Sequence, residues 1–150
     1  MQDVNVYIKT TARGPAKRKT VYFVYVIQMK TQQKEYIKRA YGELYDMAEN
    51  KAELTVLVKA LERFNRGCRI RIFTECEHIL HSISNGWPYQ WEKDGWVKRR
   101  GLPVANAELW QQVLNLTKMH VVTYTDGTHE FTSWMEFCLL YTSDAADDRI

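Results

Sequence analysis

The sequence predicts an α/β (α+β) domain built on a mixed five-stranded sheet with flanking helices, in the order βββαβααβα. Three observations carry this expectation. Three β-rich segments follow one another before any helical pattern begins, which implies antiparallel strands joined by short connections. Helical and strand patterns then alternate, which implies βα crossovers. Finally, 150 residues with 45% hydrophobic and 26% charged residues suit one globular domain of ordinary composition.

Val4 to Ile8 alternates apolar with polar residues, and Val21 to Ile27 is rich in β-branched and aromatic residues, so both read as strands. A third strand covers Lys34 to Tyr41. Between the first two, Thr10 to Thr20 carries Gly14, Pro15 and four basic residues with no acidic one, the composition of a solvated hairpin loop. Leu54, Leu57, Val58, Leu61 and Phe64 fall at helical spacing, with Asn50 placed to cap the helix and Gly67 to end it. Arg69 to Thr74 alternates as a fourth strand, with Glu75 at its C-terminal end, and Glu77 to Ser84 reads as a second helix. Beyond Gly86 lies a basic segment rich in tryptophan. A helix from Ala105 to about Thr117, a strand from His120 to Tyr124, a turn at Asp126-Gly127 and a short last helix complete the chain.

No apolar run approaches the roughly 20 residues that cross a bilayer, and the opening MQDVNVYIKT lacks the apolar core of a signal peptide, so a cytoplasmic protein without a membrane partner is expected. Cys68, Cys76 and Cys138 form no CxxC pair and are odd in number, which argues against a disulfide framework or a zinc site. The run from Cys138 to Asp147 resembles a translated adaptor of the kind ligated to DNA during library preparation. The expected domain is therefore 1–137, with 138–150 a non-native tail. That tail holds one basic and three acidic residues, so without it 20 basic residues face 15 acidic ones, a balance mildly favourable to polyanions.

The segment from Trp87 to Lys98 (WPYQWEKDGWVK), followed by Pro103-Val104-Ala105-Asn106 and Leu109-Trp110-Gln111, resembles bacterial ribonuclease H. That family carries a tryptophan-bearing helical handle, a lysine-rich loop, a Pro-Val-x-Asn stretch and a Leu-Trp-Gln helix start in this order. Asn50-Lys51-Ala52-Glu53-Leu54 resembles the start of the family's first helix, and Phe73-Thr74-Glu75 the end of its fourth strand. Three anchors in one order carry far more weight than any one alone.

The resemblance implies a ribonuclease H-like fold and hydrolysis of the RNA strand of an RNA/DNA hybrid, using two divalent ions, Mg²⁺ or Mn²⁺, held by four carboxylates. Hard cations need such oxygen ligands. Carried over by position, Glu53 matches the helix glutamate, and Glu75 stands where the family has aspartate; these are the metal ligands and catalytic acids. His129 resembles the family's mobile histidine. Lys9 stands at the first-strand acid, with Asn5 four residues earlier, and a protonated lysine repels a cation. Only Glu130 and Glu136 lie near the fourth acidic position.

The residues also admit plainer roles. Glu53 lies three positions after Asn50 and could complete a helix cap, although Leu57 and Leu61 place it on the buried face. Glu75 could stabilise the N-terminus of the next helix, and His129 could be a surface histidine in a polar turn. Tryptophans at this spacing can be core. Even so, Trp87, Trp91 and Trp96 frame Lys93, Lys98, Arg99 and Arg100, and a basic protrusion with aromatic faces suits phosphate-backbone binding. Asn50, Asn106 and Gln111 could contact sugar or groove atoms.

The sequence thus points to a divergent ribonuclease H-like protein. Its expected partner is RNA/DNA hybrid or other duplex nucleic acid, with no obligate protein partner, and its hydrolysis is expected to be weak or absent. A catalytically inactive nucleic-acid-binding module and, less favoured, a protein-interaction module anchored by the tryptophans are the alternatives.

Overall fold

The computed structural model describes the backbone of residues 1–147 and the side chains of residues 1–140. Five strands, β1 (Gln2–Thr10), β2 (Arg18–Lys30), β3 (Glu35–Met47), β4 (Cys68–Phe73) and β5 (Val121–Thr125), form one sheet in the order β3-β2-β1-β4-β5. β1 pairs antiparallel with β2 and parallel with β4, so it is the strand at which the sheet changes sense. The helices are α1 (Glu49–Leu61), α2 (Glu77–Ser84), α3 (Trp87–Lys93), α4 (Ala107–Thr117) and α5 (Thr132–Asp147). None of them is long and apolar enough to cross a membrane.

The alternation along β1 splits the core into two layers. Val4, Val6 and Ile8 face α1 and α4, where Leu54, Leu57, Leu61, Trp110 and Val113 complete the main cluster. Tyr7 faces the opposite side with Val24 and Val26, against Phe131, Met135 and Leu139 of the α5 segment. Successive strand side chains point to opposite faces, so one strand can serve both layers.

The structure departs from the sequence expectations at several elements. β2 is longer at both ends than its core of β-branched residues suggested, and β3 runs on past Tyr41 to Met47, because their ladder continues from Lys30↔Glu35 to Arg18↔Met47 through residues of low strand propensity. The basic Trp-rich segment contains a helix of its own, α3, which adds a helix to the expected order. Asn50 does not cap α1. Ala48 holds the extended N-cap position, and the helix start is tied to the β1–β2 loop instead: Glu49 N donates to Gly14 O (3.2 Å) and Gly14 N to Glu49 Oε1 (2.9 Å). Gly67 does not end the helix either. It lies where a Cβ would stand 2.6 Å from Met119 O, so glycine is needed there for the backbone to pass. The last helix is long rather than short and runs through the start of the expected 138–150 tail, with Leu139 buried; residues 148–150 lie outside the described residues.

Candidate functional site

Where the strand order of a sheet reverses, as it does here between β1 and β4, the connections leave in opposite directions and open a crevice at the C-terminal strand ends. Here the ends of β1 and β4 meet at Tyr7↔Phe73, and the chain continues to Lys9 on one strand and Glu75 just past the other. Lys9 Nζ donates to Glu75 Oε2 at 2.8 Å, with Arg13 Nη2 3.9 Å from the same oxygen. The lysine hydrogen bond is the main reason the Glu75 carboxyl is held below its usual range.

Glu53 comes from the other side, on the inward face of α1 between Ala52 and Leu54, and is 3% exposed. Thr10 Oγ1 donates to its Oε1 at 3.2 Å, while its Oε2 has no hydrogen-bond partner among the described residues. Burial pushes its carboxyl up to about 7, against the pull of Arg13 and the threonine hydroxyl. This burial and this partner exclude the capping role for Glu53. A cavity of about 430 Å³ separates the two acids, with Glu49, Asn50 and Arg13 on the α1 side and Glu77 and His78 on the α2 side.

His129 joins the same centre through a shallow depression shared with Lys9 and Glu75. Its ring lies 4.1 Å from that of Tyr7, its Nδ1 accepts from Phe131 N (3.1 Å), and burial holds its pKa below the usual value. It is an anchored side chain in this arrangement rather than a free one in a turn. Asn50 is exposed in the first turn of α1, where its Oδ1 faces Cys76 Sγ at 3.9 Å.

Position by position, these residues do not fit two hard divalent ions. The ammonium of Lys9 holds the oxygen of Glu75 that a cation would need, and Glu53 favours its protonated form up to about neutral pH. From α5 the depression is lined by Thr132 and Met135; Met135, 1% exposed, offers a thioether that hard cations do not prefer, and neither residue is a carboxylate. Glu130 points elsewhere, accepting from Gln28 Nε2 at 2.6 Å, and Glu136 is exposed. Among the described residues, no three His, Cys, Asp or Glu side chains are close enough to share a metal ion.

The handle lies beyond α2. Trp110 is fully buried, and Trp91 meets it edge-on at 6.1 Å, while Trp96 is also packed against the main core. Trp87 (45% exposed) and Tyr89 (52% exposed) are the aromatic faces left open to solvent. Sequence spacing could not separate these roles, because one short helix carries both its buried and its open aromatics. Lys93, Lys98, Arg99 and Arg100 are all exposed. The last three stand on a closed loop in which Lys98 N donates to Leu102 O (2.6 Å) and Val104 N to Trp96 O (3.0 Å). Asn106 takes a left-handed backbone (φ 57°) at the start of α4 and caps nothing with its side chain. Lys98 is near enough to His78 to help depress its pKa, second to burial, which places the handle beside the acidic cavity.

Thr10, Arg13, Glu49 and His78 are site residues that sequence reading missed. Arg13 had a signal, since it belongs to the basic hairpin loop. The others depend on how the strand ends, the loop and α2 converge.

The RNase H family model matches residues 2–129. Among curated proteins, the chain is 33% identical to a ribonuclease H of Chlorobaculum parvum over 82 residues, covering 53% of this chain and 56% of that protein. It is 28% identical to the ribonuclease H of Clostridium botulinum (strain Hall) over 149 residues, covering 99% and 98%. Among solved structures, LC9-RNase H1, described as a type 1 RNase H with the type 2 active-site motif, superposes with a TM-score of 0.75 at 14% identity, covering 96% of this chain and 73% of that one. LC11-RNase H1 in complex with RNA/DNA hybrid gives 0.57 at 14% identity, covering 89% and 91%. The folds agree, and the family match spans all five strands and the handle between them; this chain belongs to the RNase H family.

Proposed function

We propose that this chain binds RNA/DNA hybrid, or another duplex nucleic acid, through its basic handle and the acidic cavity beside it, and that its hydrolysis of the RNA strand is weak or absent. The observation that carries the second half is the Lys9–Glu75 ion pair. A cation already sits on one of the two acids, so Mg²⁺ or Mn²⁺ reaches Glu75 only in competition with it, and divalent binding falls in the millimolar range or below detection. Support for the first half comes from the four exposed cations of the handle, and from the fold shared with LC11-RNase H1, which was solved with a hybrid bound. In this reading Asn50 and Asn106 contact sugar or groove atoms, and Trp87, 45% exposed, is the stacking face. Within this reading Glu53, Glu75 and His129 are the residues of the former catalytic centre, and Trp91 and Trp96 hold the handle in shape.

The test is a paired measurement on the same preparation: fluorescence anisotropy with a labelled hybrid at rising salt, and gel analysis of the RNA strand in Mg²⁺ and in Mn²⁺. The reading expects binding that falls steeply with salt and cleavage close to the protein-free background. Brisk cleavage in Mg²⁺ would sink the claim of lost hydrolysis. Absence of hybrid binding at low salt would sink the whole reading.

A further inference from the structure

β3 is an open edge of the sheet. It bonds to β2 along one side, and among the described residues no strand pairs with the other. A long edge strand is a ready template for another chain unless charge or a bulge blunts it. Here Asp46, with a left-handed backbone (φ 56°), breaks the edge at one end, and the regular stretch before it carries its charges in a self-complementary order.

Residues directly opposite in the β2–β3 ladder share a face, so Ile37, Arg39, Tyr41, Glu43 and Tyr45 lie on the α5 side of the sheet with Val24 and Val26. All five are exposed, Tyr41 at 67%. Arg39 and Glu43 stand about 13 Å apart along the strand, and neither takes part in an ion pair among the described residues. The Arg39 guanidinium lies over the Trp134 ring at 5.0 Å, a contact that uses its flat face and leaves its N–H donors uncommitted. Glu43 accepts a hydrogen bond from the Tyr45 hydroxyl at 2.6 Å, which leaves its other oxygen open to a cation.

We propose that β3 pairs antiparallel with β3 of a second copy of this chain, in the register centred on Tyr41. A two-fold axis normal to the sheet then passes between the two Tyr41 residues, and the two five-stranded sheets become one. Arg39 of each copy meets Glu43 of the other, Ile37 meets Tyr45, and the two Tyr41 rings face each other. Opposite charges and aromatic pairs directly across a ladder both stabilise it. On the other face Ala40 meets Gly42, a pair too small to obstruct the seam. Neighbouring registers do worse. Sliding by two residues either way sets Arg39 opposite a tyrosine, and sliding by one sets opposite faces against each other. The charge pattern thus selects a second copy over an unrelated strand.

Sedimentation velocity of the full chain, in dilutions from millimolar to low micromolar, reads the association. A seam of this size gives a weak, reversible dimer, dissociating in the micromolar range or above. Each residue is used twice in a two-fold interface, so Arg39→Glu turns both attractions into repulsions, and so does Glu43→Arg. Each variant alone should self-associate at least about tenfold more weakly. Mixed in equal amounts, the two should form a heterodimer of parental strength, because every acid again meets a base. Thermal melts check that both fold, and Glu43→Arg leaves the Arg39–Trp134 contact in place. A chain that stays monomeric at millimolar concentration overturns the proposal and leaves the edge to a different protein's strand. A dimer that neither reversal weakens overturns it too, as does a mixture that associates no better than its components. So does a dimer that appears only when hybrid is added and ignores the reversals, a result that would assign the bridge to nucleic acid.

Discussion

Lys9 and Glu75 bridge the mouth of two parallel strands, with Lys9 Nζ 2.8 Å from Glu75 Oε2 and the lysine side chain only 13% exposed. The pair joins the ends of β1 and β4 in the way a shared cation would. Arg13, 3.9 Å from the same oxygen, adds a second positive charge from the β1–β2 loop. Replacing Lys9 with aspartate should therefore act in two opposite directions. Without metal, stability should fall by about 1 kcal/mol, a modest figure because Glu75 is more than half exposed and solvent screens the pair. Mn²⁺ should then raise the melting temperature of Lys9→Asp while leaving the parent unmoved. A variant as stable as the parent and indifferent to Mn²⁺ would show that Lys9 does not hold this centre together.

The buried acid has a signature in pH. Burial raises the folded-state pKa of Glu53 from an ordinary 4.5 to about 7, so the folded protein keeps the proton that the unfolded chain gives up. The associated stability is fully present below about pH 4.5, declines between 4.5 and 7, and is gone above that. The size is on the order of 3 kcal/mol at most. Glu75, with its pKa lowered, contributes with the opposite sign and at lower pH, and the lowered pKa of His129 opposes the slope below its usual value. The clean measurement is thus the difference between the parent and Glu53→Gln. The variant should gain relative stability as pH rises from 5 to 7.5 in urea titrations, and a flat difference would count against a buried, proton-retaining Glu53.

How far the sequence carried this picture depended on whether a feature was local. α2 and the inward face of α1 were readable from periodicity, because Leu54, Leu57 and Leu61 recur at helical spacing and are indeed buried. The burial of Glu53 followed from the same stripe. The ends of β2 and the far end of β3 were not readable, since Arg18, Lys30, Glu43 and Met47 join the ladder only because a partner strand is there. The start of α1 misled for a related reason: Asn50 has the right side chain for a cap, but the loop carrying Gly14 already occupies that role. The division of labour among Trp87, Trp91, Trp96 and Trp110 is set by where α4 packs, which a linear pattern does not encode.

Lys98, Arg99 and Arg100 stand on a loop whose backbone bonds do not depend on their side chains. Changing all three to alanine should leave the fold intact and weaken hybrid binding. The salt dependence of affinity should flatten by up to about three units of slope, one for each phosphate that is no longer neutralised. Anisotropy titrations at several salt concentrations measure this directly, and an unchanged slope would remove the handle from the binding surface.

Thr132 and Met135 line the acidic centre from α5, while Glu130 bonds Gln28 and Glu136 is exposed. Met135→Asp alone should be costly, on the order of 2 to 5 kcal/mol, because it removes a buried apolar side chain and places a carboxyl beside Tyr7 and Val24 where the neighbouring Lys9 is already paired with Glu75. Combined with Lys9→Asp, the same change should behave differently. The ammonium that competes for Glu75 is gone, and two new carboxylates join Glu53 and Glu75 around one space, which gives a hard divalent ion the oxygen ligands it needs. The double variant should be the less stable protein in EDTA, yet recover in Mn²⁺ by more than either single variant does, with non-additive coupling as the mark of a shared ion. Thermal melts across the four-member cycle, each with and without Mn²⁺, read that coupling. If the two Mn²⁺ responses merely add, Met135 and Lys9 do not face one site, and the geometry at the mouth of β1 and β4 is not that of a metal centre closed by a lysine.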